Sequence, residues 1–454
     1  MGLPSKYHRE VTEISLIKLF FKAYSFWCRY GTRAAIKRIR AELGPKPVYT
    51  PAAYSAPPIP PPSASPRSAA QLTQVRFESL TPLSLYMLPP SPHKRVTIVT
   101  DSIGRSSLFG GVGTALIFAT LLANRMGADL RVITRTERPQ PDNVDHILSV
   151  YGLALKGEIQ FKFLSVHERN QSTDFTDSEL FITTSWWTTA ATLGSVPASS
   201  ILYLLQEDER MFYPYGDDRL RCEEILSRRD IRFLINTKLL FDHLVTDGLA
   251  NIATQGAWFE PAFPTRVFHP SGLEKERGAR RKFIFYARPN NLRNLFYLGV
   301  EVIEAAIAQQ VLDLKLWEII FVGKDIPDIV FSTGHAPTKR ENLSWSEYAD
   351  LAGTIDLGLS LMYTPHPSYP PLDLAASGSV VVTNQFGIKQ DLFRYSTNLI
   401  CAKAERGALV EALREGVALA MNQPLRQANF EGNGLCTDWD VSFAETLERI
   451  GGKS

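Results

Sequence analysis

The sequence predicts an α/β protein: two doubly wound domains, each a parallel sheet wrapped by helices, facing one another across a cleft. Three observations predict it. At 454 residues the chain exceeds what one ordinary hydrophobic core organises. Runs rich in Val, Ile and Phe alternate with segments of helical periodicity, once in each half of the chain, as a parallel sheet requires. Between the halves, residues 259–280 ("FEPAFPTRVFHPSGLEKERGAR") have the Pro, Gly and charge content of a connector. Overall, 44% hydrophobic and 21% charged residues describe a globular protein.

Residues 1–44 come first. "EVTEISLIKLFFKAYSFWCRYGTRAAIKRIRAEL" reads as a basic amphipathic helix, with Ile14, Leu16, Ile17, Leu19, Phe20, Phe21, Phe26 and Trp27 in its apolar half. Such a helix lies at an anionic membrane surface, or docks on its own protein or a partner. Lys18 and Lys22 interrupt the apolar run, which excludes a spanning helix or a signal h-region. Residues 1–45 carry a net +6, so the remainder carries −4 within a whole-chain charge of +2. A nearly neutral body does not suggest nucleic-acid binding. Cys28, Cys222, Cys401 and Cys436 lack CxxC spacing, which fits a reduced, cytoplasmic compartment without a zinc site. Residues 45–74 hold nine prolines and read as a disordered, extended linker.

The first domain, residues 75–270, opens with the strand "KRVTIVTD", a glycine-rich turn, the helix "TALIFATLLANRMG" and the strand "ADLRVITRT". The unit recurs in "SELFITTSWWTTAATL", "ASSILYLLQEDE" and "IRFLINTKLLFDHLVTDG". The second domain, residues 271–430, alternates in the same way: "RKFIFYARP", "NLFYLGVEVIEAAIAQQ", "WEIIFVGKD", "SWSEYADLAGT", "IDLGLSLM", "SYPPLDLAASGSVVVTN" and "RGALVEALREGVALAMN". Residues 431–454 read as a helix returning toward the first domain. Ligands of such sheets bind beyond the carboxyl ends of the strands.

Two stretches carry chemistry there. In "FIFYARPNNLRNLFYLG" a strand ends, Arg288 and Arg293 flank a Pro-Asn-Asn turn, and a helix begins. Fork-shaped cations beside free helix amides suit phosphate oxygens; surface ion pairs are the alternative. In "SYPPLDLAASG" Ser368 is a plausible N-cap and Asp373 lies about one turn in. Its carboxylate suits a sugar hydroxyl of a nucleotide, or merely complements the helix dipole. A P-loop is absent, since GxxxxGK[ST] occurs nowhere.

The order "YARPNNLRN", "FVGKD", "SYPPLDLAASGSVVVTN" resembles the nucleotide-binding half of GT-B glycosyltransferases of the retaining family 4, and more narrowly bacterial rhamnosyltransferases that build S-layer glycans from dTDP-rhamnose. The narrower likeness extends to "FGGVGTALIFATLLANRMGADLRVITR", "TTSWWTTA", "ILYLLQEDERMFYP" and "FLINTKLLFDHL", and covers roughly residues 75–450. It implies GT-B architecture, with two Rossmann-like domains. It places Arg288 and Arg293 at the diphosphate, where the family has arginine and lysine. The family's carboxylate pair falls on Pro365 and Asp373, so the residue near the donor sugar is lost and the ribose-binding acid is kept. His366, Ser368 and Tyr369 are candidates to fill that gap. Lys324 is a further candidate for the diphosphate, and Gly110 and Gly111 resemble the family's amino-terminal glycines.

On the acceptor side the candidates are Trp186 or Trp187 as a stacking face, with core packing the alternative, and Asp208 with Glu207, Glu209 and His366. The resemblance implies retention without a general base, because the departing phosphate takes the acceptor proton. It implies no cofactor and no required metal; "DWD" at Asp438–Asp440 reads as structural. The expected activity is transfer of a deoxyhexose, L-rhamnose from dTDP-β-L-rhamnose, to a lipid-linked or oligosaccharide acceptor at the inner face of the cytoplasmic membrane. A GT-B-like epimerase and a non-catalytic scaffold are the rivals.

Overall fold

The computed structural model describes residues 68–104, 111–168, 170–271 and 279–451. The basic amphipathic segment, most of the proline-rich stretch and Gly110 lie outside the described residues. The linker assignment, 45–74, needs one correction at its end. Ser68 accepts from the Gln71 amide while the Gln71 side chain accepts from the Ser68 amide, and this capping box starts helix α1 (Ala69–Arg76). Past Pro66 no proline remains to oppose helix in that segment.

The first half is a seven-stranded sheet in the order β4-β3-β2-β6-β7-β8-β9, all parallel. Its strands are β2 (Arg95–Thr100), β3 (Asp129–Thr134), β4 (Ile159–Phe163), β6 (Leu180–Thr183), β7 (Ile201–Leu205), β8 (Arg232–Asn236) and β9 (Gly256–Phe259). Two short strands, β1 (Leu85–Met87) and β5 (Thr173–Phe175), pair separately. The helices of this half are α2 (Gly113–Met126), α3 (Pro141–Tyr151), α4 (Trp186–Leu193), α5 (Asp217–Leu226), α6 (Lys238–Thr246) and α7 (Ile252–Gln255). α2 ends at Gly127, whose φ of 61° needs a residue without Cβ.

The second half is a six-stranded parallel sheet in the order β12-β11-β10-β13-β14-β15. It comprises β10 (Arg281–Ala287), β11 (Trp317–Gly323), β12 (Thr338–Glu341), β13 (Leu357–Leu359), β14 (Val380–Asn384) and β15 (Leu399–Ala402), with helices α8 (Phe296–Ala308), α9 (Trp345–Ala352), α10 (Tyr369–Ala376), α11 (Arg406–Met421) and α12 (Gln423–Glu431). The central strands read as unbroken apolar runs because both faces are covered. Phe283, Phe285 and Ala287 point into one core and Ile284 into the other. Burying each of these Phe and Ile side chains contributes about 2 kcal/mol. Helix α8 approaches so closely that a Cβ on Gly299 would lie 2.2 Å from the Phe285 ring.

The last helix, α13 (Trp439–Gly451), leaves the second half and packs on the first. Phe443 meets Phe118 of α2 at 5.0 Å and Phe259 of β9 at 4.6 Å between ring centroids. The Asp438–Asp440 pair begins this helix, where Asp438 accepts from the Asp440 amide at 2.7 Å. Among the described residues no helix is long and apolar enough to cross a membrane.

Candidate functional site

Strand carboxyl ends from both sheets supply the polar groups that meet between the halves. Gln206 and Glu207 follow β7, and Asn236 closes β8. From the other sheet, Arg288 follows β10, Lys324 follows β11 and Lys389 lies in the turn after β14.

Arg293 sits in a short 3-10 turn, Leu292–Asn294, immediately before α8. Its Nη1 lies 3.3 Å from Glu207 Oε2, so this ion pair crosses from one half to the other. The guanidinium also rests 4.3 Å above the Phe212 ring. Burial lowers the Arg293 pKa, opposed by Glu207 and Glu209 and reinforced by Arg288. The two arginines therefore lie near enough to sense one another. Arg288 is exposed. Lys324 is also exposed, and its amide donates to the Ala287 carbonyl at 3.3 Å, which places it beside the Arg288 backbone.

Two groups that sequence reasoning did not single out line the same place. Lys389 is fully buried, and its ammonium donates to the Met362 carbonyl at 2.9 Å and the His366 carbonyl at 3.3 Å. Burial lowers its pKa to about 8, against the pull of Glu207. Asn236, also fully buried, reaches Tyr369 across the gap. Both stand at or just past a strand's carboxyl end, which is the signal that could have found them.

His366 is buried, with Nδ1 accepting from the Ser368 amide at 2.9 Å. That bond leaves the proton on Nε2, which is buried without a partner. Burial, then Lys389 and Arg293, lower its pKa to about 3, so the ring is neutral at physiological pH. Ser368 occupies the N-cap position of α10 at φ 72°, but its side chain makes no capping bond. The strained backbone is held instead through the imidazole.

Tyr369 is a candidate for the sugar nucleotide. Its hydroxyl bridges the halves, 2.7 Å from Thr114 Oγ1 of α2 and 2.9 Å from Asn236 Nδ2. Asp373 lies about one turn into α10, because Tyr369 and the two prolines take the opening positions. It is 3% exposed, and Oδ1 has no hydrogen-bond partner. Burial raises its pKa well above the carboxylate range, opposed by the facing Tyr348 phenol. An unsatisfied buried carboxyl of this kind is what a hydroxyl ligand would complete.

In the first half, Gln206 Nε2 donates to the carbonyl of Gly111, a candidate for the nucleotide, and a Cβ at Gly111 would lie 3.2 Å from that nitrogen. The tryptophans divide. Trp186 is 2% exposed in the core, with its indole N–H on the Tyr213 hydroxyl at 3.0 Å, so it presents no stacking face. Trp187 is half-buried, and its indole N–H donates to Asp101 Oδ2 at 2.8 Å. Burial raises the Asp101 pKa.

Asp208 is likewise unavailable to an acceptor. Arg210 grips it through Nε at 2.9 Å and Nη2 at 2.8 Å, and His243 Nε2 stands 3.4 Å away. Burial alone would raise its pKa, but His243 and Arg210 overcome that and push it down to about 2. Asp208, His243 and Asp247 together have metal-ligand spacing, yet Arg210 Nη2 also reaches Asp247 at 2.7 Å. A guanidinium thus sits between both carboxylates, where a cation would go. The next acid, Glu209, is buried with Oε2 accepting from the Trp186 amide at 2.8 Å, and burial raises its pKa to about 8.

Comparison with known proteins agrees with this architecture. Residues 95–233 match the WsaF N-terminal domain and residues 281–414 the WsaF C-terminal domain, together more than half of the chain. The O-antigen biosynthesis protein RfbC of Myxococcus xanthus is 28% identical over 280 residues, 60% of this chain. The match spans only 20% of that relative's length. Among solved structures, Anabaena HepE in complex with UDP and glucose superposes with a TM-score of 0.54 at 12% identity, covering 80% of this chain and 100% of HepE. Sucrose-phosphate synthase from Thermosynechococcus elongatus gives 0.50 at 12% identity, covering 78% of this chain and 98% of that one. The protein therefore belongs to the WsaF family and has the fold of the GT-B glycosyltransferases.

Proposed function

We propose that the protein is a retaining glycosyltransferase that moves a deoxyhexose, L-rhamnose from dTDP-β-L-rhamnose, onto a growing cell-surface polysaccharide. The observation that carries this reading is Arg293, beyond β10, ion-paired to Glu207 of the β7 loop in the other half, with Arg288 near enough to lower its pKa. Family membership and the name of the Myxococcus relative support a sugar-transfer role, and HepE's complex with UDP and glucose supports a nucleotide-sugar partner.

In this reading the bond from the sugar's anomeric carbon to the β-phosphate oxygen breaks. The acceptor oxygen bonds to that carbon on the same face, and its proton passes to the released phosphate. Negative charge grows on the diphosphate as the bond breaks, so fixed guanidinium groups stabilise the transition state more than the ground state. Arg288, Arg293 and Lys324 supply that charge, Asp373 takes a ribose hydroxyl, and the neutral Nε2–H of His366 is a directed donor. No bound metal is required when cations surround the leaving group.

Isothermal titration of the full chain with dTDP, UDP and GDP, then with their sugars, tests the assignment. Arg288→Ala and Arg293→Ala should each weaken nucleotide binding by about tenfold or more. Unchanged binding in both variants refutes the reading. Product analysis separates a glycoside from an altered free sugar nucleotide, the product of an epimerase. The basic residues 1–44 are assigned to an anionic membrane surface on the cytoplasmic side. Failure of the full chain to sediment with anionic vesicles at low salt rejects that assignment.

A further inference from the structure

Glu207 is a half-buried carboxylate that its partners hold loosely. Oε1 accepts from the Asp208 amide at 3.1 Å, and Arg293 reaches Oε2 by one contact at 3.3 Å rather than a bidentate grip. Burial raises the Glu207 pKa, opposed by Arg293, the Thr364 hydroxyl and the Asp208 amide. The contrast is the very next residue, where Arg210 holds Asp208 by two bonds shorter than 3 Å. Its side chain is 12% exposed, Arg293's is 24% exposed, and the buried ammonium of Lys389 adds to the field on it. A loose, one-point ion pair joins a carboxylate from one half to the guanidinium that the proposed function assigns to a diphosphate.

We infer that Glu207 is the resident anion of the Arg293 site: it neutralises the guanidinium until the diphosphate of a sugar nucleotide displaces it. This rests on the reading of Arg293 given above. The chemistry of exchange is favourable on three counts. A diphosphate carries more charge and more acceptor oxygens than one carboxylate, and can engage Arg288 and Arg293 together. The pair it breaks has one contact. The displaced carboxylate keeps its bond to the Asp208 amide. Exchange has a cost, because an anion is left beside an anion. Glu207 therefore competes with the ligand, and removing its charge should strengthen binding rather than weaken it.

That sign is the test, since a merely structural carboxylate would weaken binding when replaced. Titration of dTDP, UDP and GDP into the wild-type full chain, Glu207→Gln and Glu207→Asp should show the preferred nucleotide bound about five- to tenfold more tightly by Glu207→Gln. Glu207→Asp, too short to reach Arg293, should also bind more tightly. This gives a second readout if the glutamine variant lacks a cooperative thermal transition. In the double variant Glu207→Gln/Arg293→Gln the gain should vanish. Unchanged or weaker binding by a folded Glu207 variant overturns the inference. If the wild type binds nucleotide and Arg293→Gln leaves that binding intact, the inference falls with the site. If no form of the protein binds any nucleotide, the proposed function falls first and this inference with it.

Discussion

Replacing Glu209 with glutamine should abolish a large pH dependence of stability. The carboxyl is 4% exposed and accepts from the Trp186 amide at the start of α4. Burial, opposed by the Trp186 amide, Tyr203 and Arg293, raises its pKa from 4.5 to about 8. The folded protein thus keeps this proton up to about pH 8, while the unfolded chain releases it above pH 4.5. Stability contributed by the protonated carboxyl is complete below pH 4.5 and is lost as pH rises toward 8. At about 1.4 kcal/mol per pH unit, the loss is on the order of 5 kcal/mol. Glutamine keeps a carbonyl oxygen for the Trp186 amide and has no proton to lose. Urea unfolding followed by tryptophan fluorescence, from pH 4.5 to 9, measures the difference. The wild type should lose stability relative to Glu209→Gln by roughly that amount across the range. Parallel curves for the two proteins would show that Glu209 is solvated and ionised in the fold, and would refute the argument.

Two further outcomes follow from packing and polar contacts. Tyr369→Phe removes the hydroxyl that joins Thr114 and Asn236, at a cost of about 1–3 kcal/mol read as a lower urea midpoint; an unshifted midpoint would mean that the bridge does not form in solution. Gly299→Ala drives a Cβ to 2.2 Å from the Phe285 ring, which is itself packed against the Phe296 and Phe321 rings, and should cost about 1–3 kcal/mol, with Tm lower by several degrees in a thermal scan.

Much of the architecture was legible in the sequence because parallel strands buried on both faces spell themselves as unbroken apolar runs. "RKFIFYA" became β10 and "WEIIFVG" became β11 for that reason. The helix "GTALIFATLLANRM" closed at its glycine as the punctuation rules predict. The site was legible in part. Arg293 does meet the other half, but the motif says nothing of its carboxylate partner, which arrives from a residue 86 positions earlier in the chain. Trp186 and Asp208 look like ligand-facing residues in sequence. Their neighbours Tyr213, Arg210 and His243 satisfy them internally, and no periodicity encodes such a pairing. Lys389 went unnoticed because a lysine in a turn is ordinarily solvated.

The sequence alone determined where strands and helices run, the parallel winding and the position of Arg288 and Arg293 at a strand's end. These follow from local periodicity and steric rules, which act over a few residues. Only the tertiary structure decided which polar groups face a ligand and which are already paired. Burial and long-range partners set that outcome, moving Glu209 to about 8, Asp208 to about 2 and His366 to about 3. Such shifts depend on what three-dimensional packing brings within a few ångströms, and linear order carries no measure of that distance.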